Sequence, residues 1–202
     1  LIVGLFGRKQ VGKSTLADEL VKLGFTGVLF AGYLKGLVCR LYELPHQWTT
    51  DEFLKEKILD NPLKFNEHHL SFIEKENNVH IMNREPKTFQ TVRSALQYIG
   101  TDILRSIDPE FHVKKLASQL NLHQNYVVSD GRFPQEKLFL QSLGALCVFI
   151  IRPSLFISDN HESEISLSKN DFEYVLINNT NKDSFIRSFM EIFKTHFKNG
   201  IR

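Results

Sequence analysis

Glycine, glycine, lysine and serine stand at the spacing Gly-x-x-x-x-Gly-Lys-Ser in Gly7-Arg8-Lys9-Gln10-Val11-Gly12-Lys13-Ser14. The chemistry this spacing serves is the cradling of a polyphosphate. Glycines let the backbone curl until successive N–H groups point inward at phosphate oxygens. Lys13 is placed to reach the β- and γ-phosphates of ATP, and the Ser14 hydroxyl to ligate Mg²⁺. Arg8, Lys9, Gln10, Val11 and Thr15 complete the stretch that a bound ATP would touch. The loop follows an apolar run and opens the helical pattern Thr15-Leu16-Ala17-Asp18-Glu19-Leu20, so a helix N-terminus faces the same negative charge. Lys9 admits two readings, a second cation over the transferring phosphoryl group or a solvated loop lysine.

A second group of residues could hold another anion. In Phe89–Ile107, the apolar Phe89, Val92, Leu96, Ile99 and Ile103 mark a buried helix face. Arg93, Gln97, Thr101 and Arg105 lie four apart along another side. Guanidinium groups suit phosphate and an amide suits a base edge; the alternative is a solvated face with ordinary salt bridges. Asp108-Pro109 then closes this helix and starts the next. Tyr126-Val127-Val128-Ser129-Asp130-Gly131-Arg132 reads as a buried strand ending in an acid and a base. Ligands of open α/β sheets bind at the carboxyl ends of strands. Asp130 is therefore expected to orient Mg²⁺ through water, and Arg132 to face phosphate, with a surface ion pair as the alternative. Arg152 follows the strand Phe149-Ile150-Ile151 and could close over the transferring group as a charge-neutralising arginine; a solvated arginine is the competing reading. His161-Glu162-Ser163-Glu164 is as much a helix-start signal as a site, and its ligands are too few for a metal centre.

Short apolar runs alternating with longer amphipathic ones must position these groups, the pattern of an α/β fold with a largely parallel sheet. Strands are expected at Leu1–Phe6, Gly27–Ala31, Tyr126–Ser129, Ala145–Ile151 and Tyr174–Ile177. Helices are expected at Lys13–Leu23, Tyr33–Glu43, Phe89–Ile107, Glu110–Leu120, Gln135–Leu143 and Lys182–Phe197. In the last, Phe185, Phe189, Ile192, Phe193 and His196 form a stripe at helical spacing that reads as core. Pro45–Pro86 is polar and weakly periodic around Asp51–Leu59 and Leu63–Lys75, a helical insertion of the kind that covers a substrate. Ser154–Lys169 is rich in Ser, Asp, Glu and Asn and is the candidate lid. The reading is of one domain over 1–202, carrying an acceptor insertion at 45–86 and a lid at 154–169.

Composition narrows the function. With 42% hydrophobic and 24% charged residues, the 202-residue chain has the make-up of an ordinary soluble domain. Its net charge of +2 is spread along the chain, which gives little support to a nucleic-acid surface. No apolar run approaches the ~18 residues of a membrane span. The opening Leu-Ile-Val-Gly-Leu-Phe is too short for a signal peptide. The first residue is Leu1 rather than methionine, and residues ahead of it are expected. Cys39 and Cys147 sit in apolar surroundings as free buried thiols, consistent with a reducing, cytoplasmic compartment.

The motifs in order resemble the deoxynucleoside monophosphate kinases of large DNA viruses and bacteriophages. They are Gly7–Ser14, Phe30-Ala31 with Leu34-Lys35, and Arg93-x-x-Leu96-Gln97-x-x-Gly100-Thr101-x-x-x-Arg105. Ser129-Asp130-x-Arg132-Phe133-Pro134-x-Glu136, His161-x-Ser163-Glu164 and Ile177-Asn178-Asn179 follow. The resemblance runs from residue 1 to about residue 185 and covers Pro45–Pro86 poorly. It implies the three-layer P-loop kinase fold, with a parallel sheet, a helical acceptor-binding region and a lid. It implies transfer of the ATP γ-phosphate to a dNMP, in the host cytoplasm if the source is viral, and allows a homodimer. Carried onto this chain, it makes Arg93, Gln97 and Arg105 acceptor-binding candidates, joined by Lys35 and Arg132. Two positions depart from the pattern: Ser154–Lys169 has no arginine, and Gly32 stands where an acidic or polar residue is expected. Animal phosphomevalonate kinases share the basic loop, the Asp-x-Arg strand end and Ile107-Asp108-Pro109, and are the runner-up. A nucleotide-hydrolysing switch is a third class, but no Asn/Thr-Lys-x-Asp guanine signature is present.

An acceptor phosphomonoester has its second pKa at about 6 and needs no general base at neutral pH. Catalysis is then positioning and charge neutralisation by Lys13, Arg132, Arg152 and Lys9, with Asp130 organising metal.

Overall fold

Ile2–Phe6 (β1) is buried at every position, as a strand covered on both faces must be. In the computed structural model, which describes residues 1–82, 84–154 and 167–199, it is the central strand of a five-stranded sheet. The neighbours are Thr26–Val28 (β2), Tyr126–Gly131 (β5), Leu146–Ile151 (β6) and Tyr174–Ile177 (β7), in the order β2-β5-β1-β6-β7. All four pairings are parallel, with Val3 opposite both Val127 and Leu146. Helices cover both faces. Lys13–Lys22 (α1) and Lys182–Asn199 (α9) pack Leu16, Leu20, Phe185 and Phe189 with Val3 and Leu5. Gly4 points to the opposite face, where Leu140 of Pro134–Ser142 (α8) lies against it. This is the three-layer α/β arrangement expected, and the Phe stripe of the last helix is core as read from its spacing.

The described chain packs as two compact units, Leu1–Phe30 with Leu116–Arg202, and Ala31–Lys115. The sheet belongs to the first. The second has its own core, in which Leu34, Leu37, Phe65, Ile73, Phe89 and Ile99 take part. Its helices include Gly32–Tyr42 (α2), Gln47–Thr50 (α3), Glu52–Glu56 (α4), Glu67–Asn77 (α5) and Val92–Gln97 (α6). Phe111–Ala117 (α7) follows Asp108-Pro109, with the Asp108 side chain accepting from Glu110 N at 2.9 Å.

The insertion differs from its expected all-helical form. Leu63–Phe65 (β3) pairs antiparallel with Lys87–Phe89 (β4), Leu63 opposite Phe89. Each strand is three residues long, too short for its period of two to show beside the helical periodicity of its flanks. Phe89 therefore belongs to a strand, and Thr91 starts the helix by accepting from Ser94 N at 3.2 Å. Past Gln97 the same helix is wound as a π-helix over Tyr98–Arg105. Most of the candidate lid, with His161-Glu162-Ser163-Glu164, lies outside the described residues.

Candidate active site

The loop joining β1 to α1 is shaped by what its carbonyls meet. Gly12 has φ 111°, a left-handed conformation that side chains resist, and Gln10 shares that half of the map at φ 62°. A methyl at Gly7 would run into the Ile150 carbonyl oxygen. Three successive carbonyls are held: Gln10 O by the Arg152 guanidinium at 3.5 Å, Val11 O by the Asn178 amide at 2.8 Å, and Gly12 O by Leu16 N at 3.3 Å. A trans peptide points its N–H opposite its carbonyl. The N–H groups of Val11, Gly12 and Lys13 therefore point away from these partners, as an anion nest at the start of α1 would require.

Lys13 is buried, at 8% exposure. Its ammonium donates to Gly7 O and, at 2.6 Å, to Arg8 O. Both contacts hold the lysine along the loop that it is expected to serve. Ser14 and Arg8 are exposed at the same loop, and Lys9 is half-buried.

β5 lies beside β1, with Gly131 opposite Phe6, so its end and the loop share the carboxyl edge of the sheet. Asp130 Oδ1 accepts from Phe30 N at 2.9 Å, which ties this edge to the end of the β2 segment. Arg132 is half-buried. Its backbone is fixed by Glu136, a carboxylate at 2% exposure that accepts from Arg132 N at 2.8 Å and Phe133 N at 3.1 Å. Phe133 N is the N-cap donor of α8 and Arg132 N the one before it, so Glu136 fixes the backbone of the Asp-x-Arg turn. Ser14 and Asp130 both offer oxygen, the donor type that Mg²⁺ takes together with phosphate.

The second unit carries the other candidates. Lys35 lies in the first turn of α2, with its N–H on Ala31 O at 2.9 Å. Gln97 ends α6, and Arg105 ends the π-wound stretch, its Nη1 on Pro109 O at 3.2 Å. Arg93 takes the ion-paired form that its spacing had left as the alternative. Glu52 Oε2 takes its Nη2 at 2.6 Å, and Glu56 of the same short helix pairs with its Nε. The guanidinium is thus met by two carboxylates from the insertion and is only 15% exposed. The stripe that spacing drew along one helix is divided: Arg93 is clamped, while Gln97, Thr101 and Arg105 remain half-buried along it.

Sequence reasoning did not give roles to Glu136, to Asn178, or to Glu52 and Glu56. A Glu three residues after a turn residue is a capping signal and could have exposed the first. The others act across long sequence separations that no local pattern encodes. Among the described residues no helix is long and apolar enough to cross a membrane.

Residues 47–189 match the family model for deoxynucleotide monophosphate kinase. A protein of Acanthamoeba polyphaga mimivirus that carries this name provisionally is 30% identical, over 92% of each chain. Among solved structures, a dephospho-CoA kinase from Campylobacter jejuni is similar over 98% of each chain, at TM-score 0.50 and 13% identity. That likeness is one of fold. The family match begins after the phosphate loop, whose assignment rests on its own residues and geometry.

Proposed function

We propose that this chain, which belongs to the deoxynucleotide monophosphate kinase family, transfers the γ-phosphate of ATP to a deoxynucleoside monophosphate, giving dNDP and ADP. The observation that carries the donor half is the nest at Val11–Lys13 with Lys13 held along the loop. The family supplies the acceptor class. Because the acceptor phosphate is largely dianionic above pH ~6, the residues need only position and neutralise.

Lys13 bridges toward the β- and γ-phosphates, and the nest N–H groups hold the non-bridging oxygens. Arg132, steadied by Glu136, balances charge at the transferring group, with Arg152 and Lys9 as further cations. Mg²⁺, held by Ser14 and through water by Asp130, supplies charge neutralisation between phosphates when bound. Lys35, Gln97 and Arg105 are assigned to the acceptor nucleotide. Arg93 joins them provided that a phosphate competes with Glu52 and Glu56 for its guanidinium.

The test is a coupled ADP-release assay with ATP·Mg²⁺ across dNMPs, NMPs, phosphomevalonate and no acceptor. Turnover with one or more dNMPs, near silence without acceptor, and loss of turnover by orders of magnitude in Lys13→Ala are expected. Acceptor-independent ATP hydrolysis, turnover with phosphomevalonate alone, or near-wild-type turnover in Lys13→Ala would each overturn the reading.

A further inference from the structure

Asn178-Asn179 follows the last strand, and no step of the reaction described above uses it. The structure gives Asn178 a place. Its backbone N–H donates to Ile151 O at 2.7 Å, which continues the β6–β7 pairing one residue past the strand. Its side-chain amide crosses to Val11 O at 2.8 Å, a contact spanning 167 positions of sequence. Gly12 presses against it so closely that an added Cβ would stand 2.8 Å from Nδ2. The next turn is secured as well. Asn181 Oδ1 accepts from Ser184 N at 2.9 Å and starts α9, whose Phe185 ring crowds the same side of Gly12 as Asn178.

We infer that Asn178 is a positioning residue of the donor loop, which fixes the Val11–Gly12 peptide so that the Gly12 N–H stays turned toward the bound polyphosphate. This rests on the donor reading of Gly7–Ser14 made above. The peptide plane has two faces, and Gly12, being glycine, offers little resistance to a flip. In a flipped plane the Val11 carbonyl oxygen would meet the phosphates in place of a donor. The Asn178 amide removes that alternative because only a donor can satisfy Val11 O. Arg152 on Gln10 O does the same for the preceding peptide, at the longer distance of 3.5 Å. The ends of β6 and β7 therefore reach consecutive carbonyls of the loop. Asparagine suits the task for a chemical reason: it is short, donates, and brings no charge beside a polyanion. Aspartate has the same shape but presents oxygen to oxygen.

The experiment compares Asn178→Ala and Asn178→Asp with wild type for ADP affinity by calorimetry, with far-UV circular dichroism and nucleotide-free melting as measures of fold. Loss of one buried donor predicts ADP binding roughly fivefold to tenfold weaker in Asn178→Ala. Asn178→Asp is expected to be weaker still at neutral pH, because it adds a charge facing both the carbonyl and the phosphates. Acceptor KM at saturating ATP should stay at the wild-type value in both variants. A brace that only stabilised the fold would lower the melting temperature without these changes in affinity. ADP affinity within twofold of wild type in both variants, or Asn178→Asp binding ADP more tightly than Asn178→Ala, would overturn the inference. A wild-type chain unable to bind ADP would overturn the donor reading itself.

Discussion

Replacing Gly12 by alanine separates backbone strain from crowding, because a second glycine supplies the control. Gly12 has φ 111° and Gly24 has φ 88°, so alanine at either adopts a conformation that L-residues resist. That term is about 1–2 kcal/mol at each. Around Gly24 a new Cβ meets nothing within 4 Å, and the strain stands alone. At Gly12 the same atom lies 2.8 Å from Asn178 Nδ2 and 3.0 Å from the Phe185 ring. Pushing Asn178 off Val11 O forfeits about 0.5–1.5 kcal/mol. Displacing Phe185, which is 2% exposed in the core of the sheet layer, adds about 1–3 kcal/mol of overpacking. Gly12→Ala should therefore be destabilised by about 3–6 kcal/mol. At about 2–4 °C per kcal/mol for a chain of this size, its melting temperature should fall by roughly 6–24 °C. Gly24→Ala should lose only roughly 2–8 °C by the same conversion. Scanning fluorimetry with and without ADP gives both readouts, since ADP should raise the melting temperature of Gly24→Ala but not of Gly12→Ala. Equal destabilisation of the two variants, or a normal ADP shift in Gly12→Ala, would refute the reasoning.

Arg105→Ala should raise acceptor KM while leaving ADP affinity at its wild-type value; loss of ADP affinity instead would assign that arginine to the donor. A double-mutant cycle on Arg93→Ala and Glu52→Gln should give a stability coupling of about 0.2–1 kcal/mol, since Glu52 is more than half exposed; no coupling would dissolve the clamp. Glu136→Ala should cost about 1–3 kcal/mol and lower turnover, because two backbone donors lose their buried acceptor and Arg132 loses its support; an unchanged melt would show that water replaces the carboxylate. Burial pushes the Cys147 thiol up to about 12, and burial with the Glu76 hydrogen bond pushes the Tyr33 phenol up to about 12. Both groups keep their protons in the folded chain at pH values where the unfolded chain has released them. Stability should thus fall as pH rises from the ordinary thiol and phenol values of 9.0 and 10.0 toward 12. Denaturant melts of Cys147→Ala should show a shallower decline from pH 9.0 upward, and a decline parallel to wild type would count against a buried thiol.

β1, β5 and β6 were legible because each is a short apolar run that is mostly buried, β2 and β7, which are more exposed, from their place between helical patterns, and the glycine loop because its chemistry dictates its spacing. Leu63–Phe65 and Lys87–Phe89 escaped because a three-residue strand exists only through its partner, here more than twenty residues away. At the site, Lys13, Asp130 and Arg132 follow from the order of strand, loop and helix. Arg93 illustrates the limit. Its position on the helix was readable from spacing, but the two glutamates that meet it come from a short helix about forty residues earlier, which has too few turns to announce a face. Asn178 shows the same limit across a still greater separation: an asparagine after a strand is an ordinary turn residue until the fold brings Val11 beside it.

The π-wound stretch Tyr98–Arg105 bears on how this chain can tolerate changes of length. Hydrogen bonds there close from i to i+5 rather than i+4, so the helix accommodates surplus residues without breaking. Removing one residue from its exposed side, Asp102, would let the segment rewind as ordinary α-helix. A π turn holds one residue more than an α turn, so the deletion and the rewinding offset one another and Arg105 keeps nearly its bearing relative to Gln97. A single-codon deletion here would therefore spare the aim of that guanidinium as well as the helix. The surplus winding is a reserve of length.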